Sequence, residues 1–208
     1  MTQNELIKQI ESQIKQLDAL GRRTLPIKVR ELAKRHYQGN FLQSGFVNGG
    51  IKPWAKSLRQ SGKGTTAGYG TLMSGHKFLY NSVKYTPSEN RVKIYNDVPY
   101  APIHNFGGIV SPTVTPKMRR FAWAKFFEAT GKASSKTSKT KKKQSASNLE
   151  LNSEAQKWKG LALTKKTKLT IKMPQRQFIG ESKELSDQIS QLIDTEVSKI
   201  MHKGTSKN

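Results

Sequence analysis

Apolar residues recur along the first twenty positions at spacings of four and three: Leu6, Ile10, Ile14, Leu17 and Leu20. That period places them on one helical face and predicts an amphipathic α-helix over residues 2–20. Thr2 and Glu5 have capping-box spacing, and Gly21 stands where a helix stop is expected. A second helix is predicted over Leu25 to Tyr37, with Thr24 as cap, Pro26 in the first turn, and Val29, Leu32, Ala33 and His36 on one face. The pattern then dissolves, and the glycine- and polar-rich stretch 39–75 reads as loop. Alternation returns in Val83 and Tyr85 and again in Val92 and Ile94. These belong to arms Phe78–Tyr85 and Arg91–Val98, flanking a five-residue turn Thr86-Pro87-Ser88-Glu89-Asn90. The part before Ser82 fits a short helix equally well.

Thr115 and Pro116 open a third predicted helix, Lys117 to Ala129, with Met118, Phe121, Ala122 and Lys125 on one face and Trp123, Phe126 and Phe127 widening its apolar surface. Leu161 to Met173 has strand character, since Leu169 and Ile171 alternate with Lys168, Thr170 and Lys172. Ser182 to His202 is a helix with Leu185, Ile189, Leu192, Ile193, Val197 and Ile200 on one side, followed by Gly204. The expected fold class is therefore α+β, with N- and C-terminal helices packed on a small antiparallel sheet. One domain is expected over residues 1–208, interrupted by a flexible, low-complexity insertion at 131–148 that is rich in Lys and Ser.

Composition narrows the class. The chain of 208 residues is 34% hydrophobic and carries 37 Lys and Arg against 14 Asp and Glu, a formal net charge of +23. Mean hydropathy is −0.68. The charge is shared between the halves, 16 basic and 6 acidic residues in 1–104 against 21 and 8 in 105–208, which argues against a single basic tail. Such a field attracts nucleic acid, acidic proteins or anionic lipid alike. Zero cysteines exclude disulfides and thiolate metal sites. The N-terminal residues lack the basic and apolar regions of a secretory signal, so a soluble protein of cytosolic origin is expected.

Chemistry is sought and mostly not found. Ser61 to Gly70 has lysine before its second glycine, in Gly62-Lys63-Gly64, and no strand leading in, so it reads as a glycine loop and not as a phosphate cradle. His36, His76, His104 and His202 have no metal-ligand spacing. His104 with Asp97 and Ser111 is a triad in composition only, since no nucleophile elbow accompanies them, and His104 is expected to be a hydrogen-bonded turn residue. The Met118–Phe127 cluster has the spacing of a core stripe with Arg119, Arg120 and Lys125 solvated. The expectation is a non-enzyme: no catalytic residues, no cofactor and no metal.

One segment stands apart. Val98 to Pro116 contains no Lys, Arg, Asp or Glu, and its four prolines and Gly107-Gly108 pair exclude a spanning helix. Within it, Tyr100, Ile103 and Phe106 are expected to anchor on the sheet, and Gly107-Gly108 to supply positive φ for a sharp reversal. Farther on, Phe178 and Ile179 are expected to lock the chain down before Gly180 and Ser182 start the last helix, while Arg176 pairs with a carboxylate or a carbonyl.

Tyr100-Ala101-Pro102-Ile103-His104-Asn105-Phe106-Gly107-Gly108 resembles the Tyr-Ala signature of phage virion morphogenesis proteins, the Mu-like tail-completion group related to tail-terminator and neck proteins. Pro174-Gln175-Arg176-Gln177-Phe178-Ile179-Gly180 is similar to the same family's Pro-x-Arg-x-Phe-Leu/Ile-Gly motif. The order of elements agrees over most of residues 1–200, departing in the Gly75–Leu79 spacing and the long 131–148 insertion. The resemblance implies a structural protein of tail completion or head–tail joining, located in the virion tail or neck. It also implies a homo-oligomeric ring, hexameric, that contacts tail-tube and head–neck connector proteins. A basic nucleic-acid-binding protein without a virion role is the alternative. Fold anchoring by both motifs is the favoured reading over direct partner contact.

Overall fold

The computed structural model describes residues 2–61, 66–88, 90–130 and 153–203. The insertion 131–148, the core of the glycine loop at 62–65 and Gly204 lie outside the described residues. The chain divides into two compact units, one formed by 1–108 with 173–208, the other by 109–172. The fold mixes helices with small antiparallel sheets, as the hydrophobic pattern predicts.

The first unit begins with α1 (Gln3–Ala19), whose capping box is formed as expected: Thr2 Oγ1 accepts from the Glu5 N–H and the Glu5 carboxylate accepts from the Thr2 N–H. Gly21 does not end the helix. A π-helical turn, Leu20–Thr24, carries the chain directly into α2 (Leu25–Leu42). The Leu25 N–H reaches back to the Leu20 carbonyl, widening the turn just before Pro26, which has no N–H to continue an α-helical ladder. Thr24 is itself helical and makes no side-chain cap, and α2 runs five residues past Tyr37.

The stretch expected to be loop contains a hairpin, β1 (Gly45–Val47) with β2 (Ile51–Pro53), closed by Gly49 and Gly50 at φ +65° and +111°. The segment before Ser82 is helical, α3 (Phe78–Asn81). The second hairpin, β3 (Val83–Ser88) with β4 (Arg91–Asn96), turns more tightly than five residues. Ser88 pairs with Arg91, and Asn90 takes the left-handed conformation at φ +55° that a two-residue connection needs. Thr86 and Pro87 therefore lie within β3, Pro87 at an exposed position where a missing N–H is tolerated.

Helix α4 (Ala101–Phe106) follows, and the unit closes with α7 (Lys183–Lys203), whose first turn is capped by Ser182 Oγ accepting from the Leu185 N–H at 3.3 Å. The buried core joins Ala33, Tyr37 and Phe41 of α2 to Phe46, Trp54, Leu79, Val83, Val98, Ala101, Phe178 and Leu185. Phe41 is its hub, with Trp54, Tyr80 and Phe178 rings at 5.6, 6.0 and 5.1 Å.

In the second unit, β5 (Gly108–Val110) and β6 (Ile171–Met173) pair, and the ribbon continues through a Thr113–Lys168 bridge. It leads into α5 (Pro116–Ala129), capped by Thr115, and α6 (Ser153–Leu163). Leu161–Leu163, expected as strand, end α6 instead. The two helices bury Ala122, Ala155 and Ala162, small side chains that bring the backbones close, while aromatic rings close the rim: Phe121 meets the Trp158 ring edge at 5.8 Å. The expected core stripe is thus corrected. On α5 only Ala122 is buried, and Phe121 and Phe127 remain exposed.

Candidate functional site

The two sequence motifs meet in the first unit. Residues 174–180 cross its core without forming a strand, so every backbone polar group buried there needs a partner from elsewhere. Side chains supply most of them. Asn105 Oδ1 accepts from both the Phe178 and Ile179 N–H groups at 2.9 and 3.0 Å, and its Nδ2 donates to the Ile179 carbonyl at 3.0 Å. Asn40 Nδ2 donates to the Phe178 carbonyl at 3.1 Å, Trp54 Nε1 to that of Gln177 at 2.8 Å, and Tyr37 Oη to that of Gly180 at 2.8 Å. The Arg176 N–H donates to the His104 carbonyl at 2.7 Å.

Arg176 bonds to carbonyls, one of the expected outcomes: Nε to Ala55 at 2.9 Å and a terminal nitrogen to Lys56 at 3.4 Å. Phe178 is fully buried and Gly107 and Gly108 have φ +71° and +136°, as expected. The expected anchors on the other side are corrected. Because 101–106 is a helix, its period turns Ala101 and Asn105 inward, leaving Tyr100 exposed, Ile103 partly so and Phe106 73% exposed.

His104 is not the hydrogen-bonded turn residue expected. It lies within α4, its ring packs edge-on to Tyr100 at 6.0 Å, and its buried Nδ1 has no partner. Burial, and then the nearby Arg176 charge, push its pKa down. Asp97, the carboxylate a triad would need, is held by Lys84 Nζ at 2.7 Å on the exposed hairpin. His36 is likewise pushed down by burial, against the opposing pull of Glu184. Among the described residues no group of three or more His, Asp or Glu is arranged to hold a metal, and no helix is long and apolar enough to cross a membrane.

Two glutamates tie α7 to the rest of its unit. Glu184 Oε1 accepts from the Gly50 N–H at 2.9 Å, and backbone donors at this turn lower its pKa to about 2. Glu196 is bound at 2.6 Å by both Lys199 and Lys28, which lower it to about 2. All four shifts have one sign: the unfolded chain binds protons more readily than the folded one, so stability is complete above the unfolded values and falls on acidification. Thermal midpoints should decline as pH drops below the ordinary histidine value of 6.5. They should decline again between the ordinary glutamate value of 4.5 and about 2. Replacing His36 and His104 together by Gln should flatten the upper limb, and an unchanged slope there would contradict this assignment.

Charge divides unequally between the units, although the halves of the sequence look alike. Residues 109–172 contain 16 basic and 3 acidic residues, +13, whereas the first unit's 21 and 11 give +10 over more than twice the length. The second unit is therefore the more strongly basic, with exposed Arg120, Lys157 and Lys159 on the same two helices that expose Phe121 and Phe127.

No protein-family model matches this chain, and neither the search of curated proteins nor that of solved structures finds a similar one. The likeness to virion morphogenesis proteins accordingly rests on the two motifs and the order of elements around them.

Proposed function

We propose that this chain is a non-catalytic, ring-forming phage component acting in tail completion or head–tail joining. The observation that supports the reading best is the lock between the two motifs that resemble that family. Asn105 of the first binds Phe178 and Ile179 of the second across 73 and 74 positions of sequence. Residues that look diagnostic in sequence are thereby engaged as a pair, in a role that fixes backbone and leaves no group placed for covalent chemistry. In this reading the strongly basic second unit faces DNA in the passage or the acidic surface of a neighbouring ring.

The unequal charge also favours a second reading, a nucleic-acid-binding protein without a virion role, in which residues 109–172 would hold duplex DNA with affinity falling steeply as salt rises. Particle assembly separates the two. Electron microscopy of lysates from a phage lacking this gene should show heads and tails that fail to join, or tails of defective length. Normal infectious particles would overturn the proposal and leave the nucleic-acid reading standing.

A further inference from the structure

Helix α1 carries aliphatic residues on a face that its own chain does not cover. Leu6, Ile7, Ile10 and Ile14 are all exposed, Ile10 at 47% and Ile14 at 60%, and no residue of the helix is buried. The partly covered positions are Gln9, Gln13 and Leu17, so the helix turns glutamines toward the body and isoleucines away from it. Four large aliphatics on one helical face, spaced i, i+1, i+4 and i+8, form a stripe of the kind that helices use to enter grooves.

The same unit offers such a groove. Between α2 and α7 lies an open cavity of about 620 Å³ with Ile27, Leu32 and Leu192 on its apolar floor and Lys28, Arg35 and Lys199 along its rim. Ile27 is 50% exposed there. The exposed stripe of α1 does not occupy this groove in its own chain.

Charge selects the occupant. Two copies of a chain at +23 repel, and a contact between them is favoured where a locally acidic element meets a basic one. Helix α1 has Glu5, Glu11 and Asp18 against Lys8 and Lys15, a net −1, and α2 has Lys28, Arg30, Lys34 and Arg35 against Glu31. We infer that α1 of one copy seats its Leu6–Ile14 stripe in the α2–α7 groove of a second copy, its acidic flank toward Lys28 and Arg35. Each chain then offers one arm and one groove, a head-to-tail contact that closes into a ring if the rotation allows. The inference deepens the ring-forming part of the proposed function, but it is read on the purified chain, so its failure is distinct from failure of the virion role.

Sedimentation of the full chain should show mass rising with concentration toward a discrete oligomer. Ile10→Glu with Ile14→Glu should weaken association at least tenfold, and so should Leu192→Glu, each with helicity retained by circular dichroism. Mixing these two variants should restore a dimer and nothing larger, because only one arm and one groove remain between them. A second readout does not depend on those substitutions. The chain has no cysteine, so Ile10→Cys mixed with Gln191→Cys should form a disulfide between copies under mild oxidation. A wild-type chain that stays monomeric, a Leu192→Glu variant that associates like wild type, or the absence of the mixed disulfide would each overturn the inference.

Discussion

Replacing Asn105 by Ala should destabilise the first unit by about 3–5 kcal/mol, since each buried backbone group left without a partner costs about 1–3 kcal/mol. One side chain satisfies three such groups, the Phe178 N–H, the Ile179 N–H and the Ile179 carbonyl. Asn105 is only 7% exposed, so water cannot readily take its place. Shortening the side chain also leaves an opening beneath α4. Urea unfolding followed by the fluorescence of Trp54, which donates to the Gln177 carbonyl in the same crossing, measures the loss. A variant within about 0.5 kcal/mol of wild type, the ordinary range for a surface substitution, would mean that residues 174–180 are held by other means.

Gly107→Ala should cost about 3 kcal/mol. Its φ of +71° with ψ near −170° lies in a region open essentially to glycine alone, which by itself costs about 1–3 kcal/mol for another residue. Space is closed as well. A Cβ at this position would stand 3.0 Å from the Gln175 N and 3.1 Å from the Met173 carbonyl oxygen, both backbone atoms of the second motif's approach. Neither can rotate away as a side chain would, so relief requires moving the crossing segment that Asn105 holds. Gly39→Ala is the matched comparison: it lies within α2, and a Cβ there meets nothing within 4 Å. That change should be neutral or stabilise by up to about 1 kcal/mol, because alanine is the better helix former. Equal effects at Gly107 and Gly39 would contradict the account of the reversal.

What could be read in the sequence follows from which forces leave a pattern. Helices α1, α5 and α7 were legible because apolar period and caps coincide, as in Thr2 with Glu5 and Thr115 with Met118. Helix α6 was not, because its buried positions are Ala155 and Ala162, too small to register as a hydrophobic stripe. Gly21 misled because the π turn before Pro26 continues the helix without the left-handed residue that a glycine stop implies. The tight turn at Asn90 was hidden by Pro87, which reads as turn and lies in a strand.

The central crossing was legible only in part. Phe178 and Gly107-Gly108 carry visible signals, burial and conformational freedom, whereas Asn40 and Asn105 act through single side chain to backbone bonds that have no period. The same holds for charge. The border between the units falls at Gly108 and Met173, not at the midpoint, so comparing halves conceals a second unit at +13. The exposed stripe of α1 was plain as amphipathicity, but which side of the helix the body covers depends on the packing of α7 and cannot be read from period alone.

The measurement that bears most directly on the central claim is a count of joined and unjoined particles in lysates of a phage deleted for this gene, with and without the chain supplied from a plasmid. The account predicts that filled heads and separate or malformed tails accumulate in the deletion and that the plasmid restores joined, infectious particles. Joined particles at wild-type yield without the chain would contradict it.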